Sequence, residues 1–88
     1  MLIAKYSTQF RRDLKQIERR GLDLSLLKTV IVDLMAQKTL PERNKDHYLA
    51  GNFKGYRECH ILPDWLLIYT TDDGYLYLSR TGSHSDLF

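Results

Sequence analysis

The sequence predicts an α+β fold in the order β-α-α-β-β-β, a helical hairpin packed on a small, mostly antiparallel sheet. Three observations predict it. Apolar residues recur at helical spacing between residues 10 and 34, strand-like segments fill the last third, and Asp73–Gly74 is a strong hairpin turn. At 88 residues the chain is expected to form a single domain over 1–88, since a core of this size cannot usefully be divided.

Residues 1–6 read as a short strand whose apolar positions are Leu2, Ile3, Ala4 and Tyr6. Ser7 or Thr8 can cap the helix that follows, in which Phe10, Leu14 and Ile17 form one stripe among five basic residues. Gly21 ends that helix, and Asp23 or Ser25 starts the next, which buries Leu27, Val30, Ile31 and Leu34. Residues 41–55 show no period and are expected to be loop. Two further strands, 56–62 and 65–71, are separated by a turn at Pro63–Asp64, and 75–80 completes the meander.

Composition excludes several classes. Hydrophobic residues make up 43% and charged residues 27%, a balance that folds rather than stays disordered. Cys59 is the only cysteine, so no internal disulfide forms, and without an apolar leader the expected compartment is a reducing cytoplasm. The longest apolar run, 65–69, is far too short to cross a membrane. One Cys and three scattered His match no standard zinc spacing, so no metal and no cofactor are expected.

Charge is uneven. Residues 1–57 carry 12 Lys/Arg against 6 Asp/Glu, and residues 58–88 carry 1 against 5. A basic first part attracts a phosphate backbone while the second holds acids, although solvated helix faces produce the same asymmetry.

Three patches hold every histidine in the chain. Lys45-Asp46-His47 lies in a polar loop. In the run 56–65, strand alternation puts Tyr56, Glu58 and His60 on one open face and Arg57, Cys59 and Ile61 on the other, with Asp64 and Trp65 past the turn. In 80–88, Arg80 ends a strand, Gly82 bends the chain, His84 follows, and Phe88 presents ring and carboxylate together. The bland alternatives are a solvated loop histidine, a surface Glu–His pair with Trp65 as core anchor, and a frayed tail.

Together the patches suit RNA transesterification by the 2′-hydroxyl. That reaction needs a base, a cation to steady the phosphate and an acid for the leaving 5′-oxygen. Imidazole serves either proton role near neutral pH, and the arginine fork suits the phosphate.

At Lys-Asp-His 45–47, Gly-Asn-Phe-Lys-Gly-Tyr-Arg 51–57, the stretch 59–69 and Arg-Thr-Gly-Ser-His-Ser-Asp-Leu-Phe 80–88, the sequence resembles the YafQ-like branch of the RelE/ParE toxin superfamily. The resemblance implies a RelE/ParE-like fold and the toxin of a type II toxin–antitoxin pair. Such a toxin is an endoribonuclease cutting mRNA in the ribosomal A site, held inactive by a RelB/DinJ-like antitoxin whose complex binds operator DNA. Carried over, the catalytic set is His47, His60, Asp64, His84 and Phe88. His84 is the proton donor, His60 or Asp64 the base, and His47 a second proton carrier. Arg80, Trp65, Glu58, Lys54 and Arg57 form the RNA-binding support, with Arg80 on the phosphate, Trp65 and Phe88 stacking bases and Glu58 orienting His60. The alternatives are a non-catalytic ParE-like gyrase inhibitor, for which this histidine and acid set is not expected, and a plain nucleic-acid-binding module.

Overall fold

A computed structural model describes residues 1–88. Strand β1 (Ile3–Tyr6) leads into helix α1 (Thr8–Arg19) and helix α2 (Leu24–Met35). Strands β2 (His47–Tyr48), β3 (Arg57–Leu62), β4 (Trp65–Asp72) and β5 (Tyr75–Gly82) follow, and helix α3 (His84–Leu87) ends the chain. The sheet runs β1-β5-β4-β3-β2, with β1 parallel to β5 and the other pairs antiparallel.

Local chemistry accounts for the boundaries. Ser7 caps α1, its hydroxyl accepting from Phe10 N at 2.9 Å. The helix closes when Gly21 N donates to Glu18 O and Leu22 N to Ile17 O, the paired bonds of a Schellman end. Asp23 then caps α2 through Ser25 N at 2.9 Å. Asp73 and Gly74 both take positive φ, 47° and 84°, as the tight turn between two twisted strands requires.

Phe10 and Ile17 from α1 and Leu27, Val30, Ile31 and Leu34 from α2 meet Cys59, Trp65, Leu67, Tyr69, Leu76 and Leu78 in one core. Leu66 and Ile68 point to the other sheet face, where Leu87 of α3 joins them in a second, smaller cluster. Residues 65–69 are therefore covered on both faces, which explains their unbroken apolar run.

Two segments differ from the sequence reading. The expected loop over 41–55 contains β2, whose His47 and Tyr48 pair with Glu58 and Arg57, so the sheet has five strands. It also holds two single 3₁₀ turns, Glu42–Asn44 and Gly51–Phe53. A two-residue strand carries no period, which is why the pattern missed it. The last residues, to which the sequence reading gave no element, form α3, started by a capping box between Ser83 and Asp86, and the frayed-tail alternative does not hold.

Candidate active site

The three histidines arrive on three different elements. His47 comes from β2, His60 from β3, and His84 opens α3. Between the first two lies Glu58, directly opposite His47 in the register and two residues before His60. Its Oε1 stands 3.6 Å from His47 Nε2 and 3.8 Å from His60 Nε2. The His60 and His84 rings follow at 5.7 Å between centroids, and Asp64 closes the series 2.7 Å from His84 Nδ1. His47, Glu58, His60, His84 and Asp64 thus form one continuous arc.

Each imidazole is oriented through its Nδ1. His47 Nδ1 meets the Lys45 carbonyl at 2.7 Å and His60 Nδ1 the Pro63 carbonyl at 3.2 Å. Carbonyl oxygens only accept, so both nitrogens carry the proton. Asp64 accepts from His84 Nδ1 and from His84 N at 3.0 Å. These two bonds hold the Asp64 carboxyl below its ordinary range, so it stays ionised and acts as acceptor. In all three rings Nε2 is the atom left for chemistry. His47 and His84 are about half exposed, while His60 is largely covered.

The supports of the arc are tight. Asp86 receives Arg20 through two bonds of 2.6 and 2.9 Å and also accepts from Ser83 N, which holds its pKa well below the usual carboxylate range. These contacts pin α3 to α1. Gly82 makes room for them, since a Cβ there would lie 2.8 Å from Asp86 Oδ2. At the other end, Asp46 accepts from Tyr69 OH at 2.6 Å and from Arg57 Nη2, clasping the segment before His47 onto β3 and β4. Burial and the bond to Asp46 push the Tyr69 phenol up.

Several expected positions move. Glu58 does share a face with His60, but it is only 5% exposed, because β2 and α3 add to that face. Trp65 does not offer its ring to a base. It is 1% exposed, and its Nε1 donates to Thr81 Oγ1 at 2.9 Å, while that hydroxyl donates to Leu66 O. Its indole instead ties the turn bearing Asp64 to the strand end leading to His84. Arg57 faces away from Glu58, bound to Asp46 and stacked near the Tyr48 and Tyr69 rings, so it is a structural cation. Arg80 lies across β4 from Glu58, in register with Ile68, but its guanidinium turns to Asp13 of α1 at 2.9 Å. Asp13 also accepts from Thr81 N and Gln9, which leaves Arg80 Nη1 as the donor that it does not use. Phe88 is exposed and meets Phe53 edge-on at 5.7 Å. Lys54 is exposed beside Tyr56, away from the arc.

Sequence reasoning assigned no role to Asp13, Asp46 or Asp86. For Asp13 a signal existed, an acid three residues after Phe10 and four before Ile17 on the buried stripe. Cys59 lies in the core with its thiol pushed up to about 12 by burial, and takes no part. No group of three or more His, Cys, Asp or Glu side chains is arranged to hold a metal ion, and no helix is long and apolar enough to cross a membrane.

Comparison with known proteins identifies the family of the chain. Residues 2–88 match the family model for YafQ, described as a bacterial toxin of type II toxin–antitoxin systems. The mRNA interferase toxin YafQ of Escherichia coli K12 is 43% identical over 86 residues, covering 96% of this chain and 92% of its own length. A metal-bound toxin from Helicobacter pylori superposes with a TM-score of 0.94 at 43% identity over the whole of both chains. YafQ in the E. coli DinJ–YafQ toxin–antitoxin complex superposes at 0.90 with 41% identity, covering 99% of this chain and 97% of its own. The chain therefore belongs to the YafQ family, the toxins of type II toxin–antitoxin systems.

Proposed function

We propose that this chain is an mRNA interferase, an endoribonuclease that cuts messenger RNA by acid–base transesterification on the His47–Glu58–His60–His84–Asp64 arc. The observation that carries the reading is the common orientation of the imidazoles. All three hold Nδ1 in a hydrogen bond, which leaves Nε2 without one, and the Nε2 atoms of His47 and His60 both face Glu58 Oε1. The family membership and the activity named for its E. coli relative point the same way.

In this mechanism His60 Nε2 takes the proton of the 2′-hydroxyl, whose oxygen attacks the adjacent phosphorus. The bond to the 5′-oxygen breaks, and His84 Nε2 supplies the proton that this oxygen needs to leave. The products are a 2′,3′-cyclic phosphate and a free 5′-hydroxyl. Asp64 is committed to His84 by two hydrogen bonds, so its role is to fix the tautomer and aim of that ring, as a buried carboxylate does for a catalytic histidine elsewhere. Glu58 faces both other imidazoles and orients them. His47 is the second proton carrier, Arg80 Nη1 meets the phosphate, and the exposed Phe88 ring stacks on a base.

Its antitoxin is a DinJ-like partner, by likeness to the E. coli complex, and its workplace is the cytoplasm, on messages at the ribosome. The test is cleavage of a defined message by the purified chain, on translating ribosomes, with His84→Ala and His60→Ala beside it. Loss of cutting by at least about a hundredfold in both folded variants, with 2′,3′-cyclic phosphate ends from the parent, is expected for general acid–base residues. Undiminished cutting in both would discard the reading.

A further inference from the structure

The sheet face opposite α1 and α2 carries a second feature that the arc does not use. Lys5, Tyr77 and Thr70 lie directly opposite one another across β1, β5 and β4, so their side chains share one face. Thr70 Oγ1 donates to the Gly55 carbonyl at 3.1 Å, which brings Tyr56 to the end of the same row. Along the chain, Tyr56 is two residues before Glu58 and four before His60, on their side of the strand. The row and the histidine arc therefore meet at Tyr56, about 13 Å from His60 by strand rise.

The row floors an open groove of about 640 Å³, with Lys54 on its rim. Its chemistry is neither that of a core nor that of an apolar docking face. Tyrosines, serine and threonine hydroxyls and two lysines line it against one carboxylate, Asp72. Lys5 Nζ sits 4.9 Å over the Tyr75 ring, and Tyr75 and Tyr77 are 5.9 Å apart, so cation and rings form one surface. A chain of edge-on rings, Tyr56 to Phe53 at 6.4 Å and Phe53 to Phe88 at 5.7 Å, links this groove to the residue beside α3.

A sheet face with ordered aromatic rings and flanking cations is the surface on which unpaired bases stack while lysines meet the phosphates. We propose that this row is a subsite for the single-stranded RNA flanking the scissile phosphate, with Tyr77 and Tyr56 stacking on bases and Lys5 and Lys54 contacting the backbone. It rests on the nuclease reading above and adds where the rest of the strand lies.

The experiment measures single-turnover cleavage of one defined message on translating ribosomes against toxin concentration, for the parent, Tyr77→Ala, Tyr77→Phe and the double variant Lys5→Ala/Lys54→Ala. Loss of one base stack raises the half-saturating concentration of Tyr77→Ala about tenfold at unchanged maximal rate. Tyr77→Phe keeps the ring and stays near the parent value. The lysine double variant binds more weakly, and its dependence of log affinity on log salt is shallower by about 0.7 for each phosphate that a lysine no longer neutralises. Because Tyr77 and both lysines lie at the surface, circular dichroism and melting of the variants match the parent. Parental half-saturation and salt dependence in folded Tyr77→Ala and the lysine variant would overturn the subsite. A parent that does not cut at all would instead overturn the nuclease reading on which it rests.

Discussion

Replacing Trp65 by phenylalanine separates a core anchor from a base-stacking ring. The indole is 1% exposed, belongs to the same core as Phe10, Ile17 and Leu67, and is bonded through Nε1 to Thr81 Oγ1. Phenylalanine leaves a void of about 40 Å³, which at about 24 cal/mol per Å³ costs about 1 kcal/mol. Losing the Nε1 bond costs about 1 kcal/mol more, because Thr81 Oγ1 keeps its own bond to Leu66 O. The total of about 2 kcal/mol corresponds to a melting temperature lower by about 8–16 °C in a domain of this size. Thermal unfolding followed by circular dichroism reads this directly. Cleavage assayed well below the new midpoint should show a rate reduced less than about tenfold, through looser coupling of Asp64 to His84, and an unchanged KM. A variant as stable as the parent whose KM rises tenfold or more would refute the reasoning and return the ring to the RNA.

Further outcomes follow from the supports of the arc. Tyr69→Phe removes the hydroxyl bonded to Asp46 and should cost about 1.5–3 kcal/mol, the range for hydrogen bonds to a charged group. It should also shift the His47 imidazole resonances in NMR while leaving those of His84 in place, and equal shifts in both rings would deny that the clasp acts locally. Asp64 and Asp86 have folded pKa values below their unfolded ones, so the stability they contribute is present above about pH 4 and is lost as pH falls through the folded values. Asp86→Asn should therefore melt below the parent at pH 7, with the gap narrowing as the pH is lowered toward 2.5. A gap independent of pH would contradict the assignment.

Much of the fold was legible because it is written in long, regular patterns. The stripes Phe10–Ile17 and Leu27–Leu34, the caps Ser7 and Asp23 and the Asp73–Gly74 turn are local signals, and each is realised. What escaped is short or made by tertiary pairing. Strand β2 exists only because His47 and Tyr48 find Glu58 and Arg57, and α3 is a single turn whose local cap is held in place by Asp86 meeting Arg20 across the chain. The same limit applies to the site. Residue types and alternation placed Glu58 with His60, but not the cover that buries Glu58. Nor does an arginine at a strand end disclose that Asp13, 67 residues earlier, will hold its guanidinium. Trp65 shows the opposite error, since a ring beside an acid in a turn invites a surface role that the covered strand β4 denies it.

The division of labour between the imidazoles is best measured with an RNA whose scissile 5′-oxygen is replaced by sulfur, a leaving group that departs without a proton. If His84 is the acid, the His84→Ala variant recovers cleavage of the sulfur substrate to near the parent rate, while His60→Ala stays slow. A His84→Ala variant equally slow on both substrates would contradict the arc as an acid–base device.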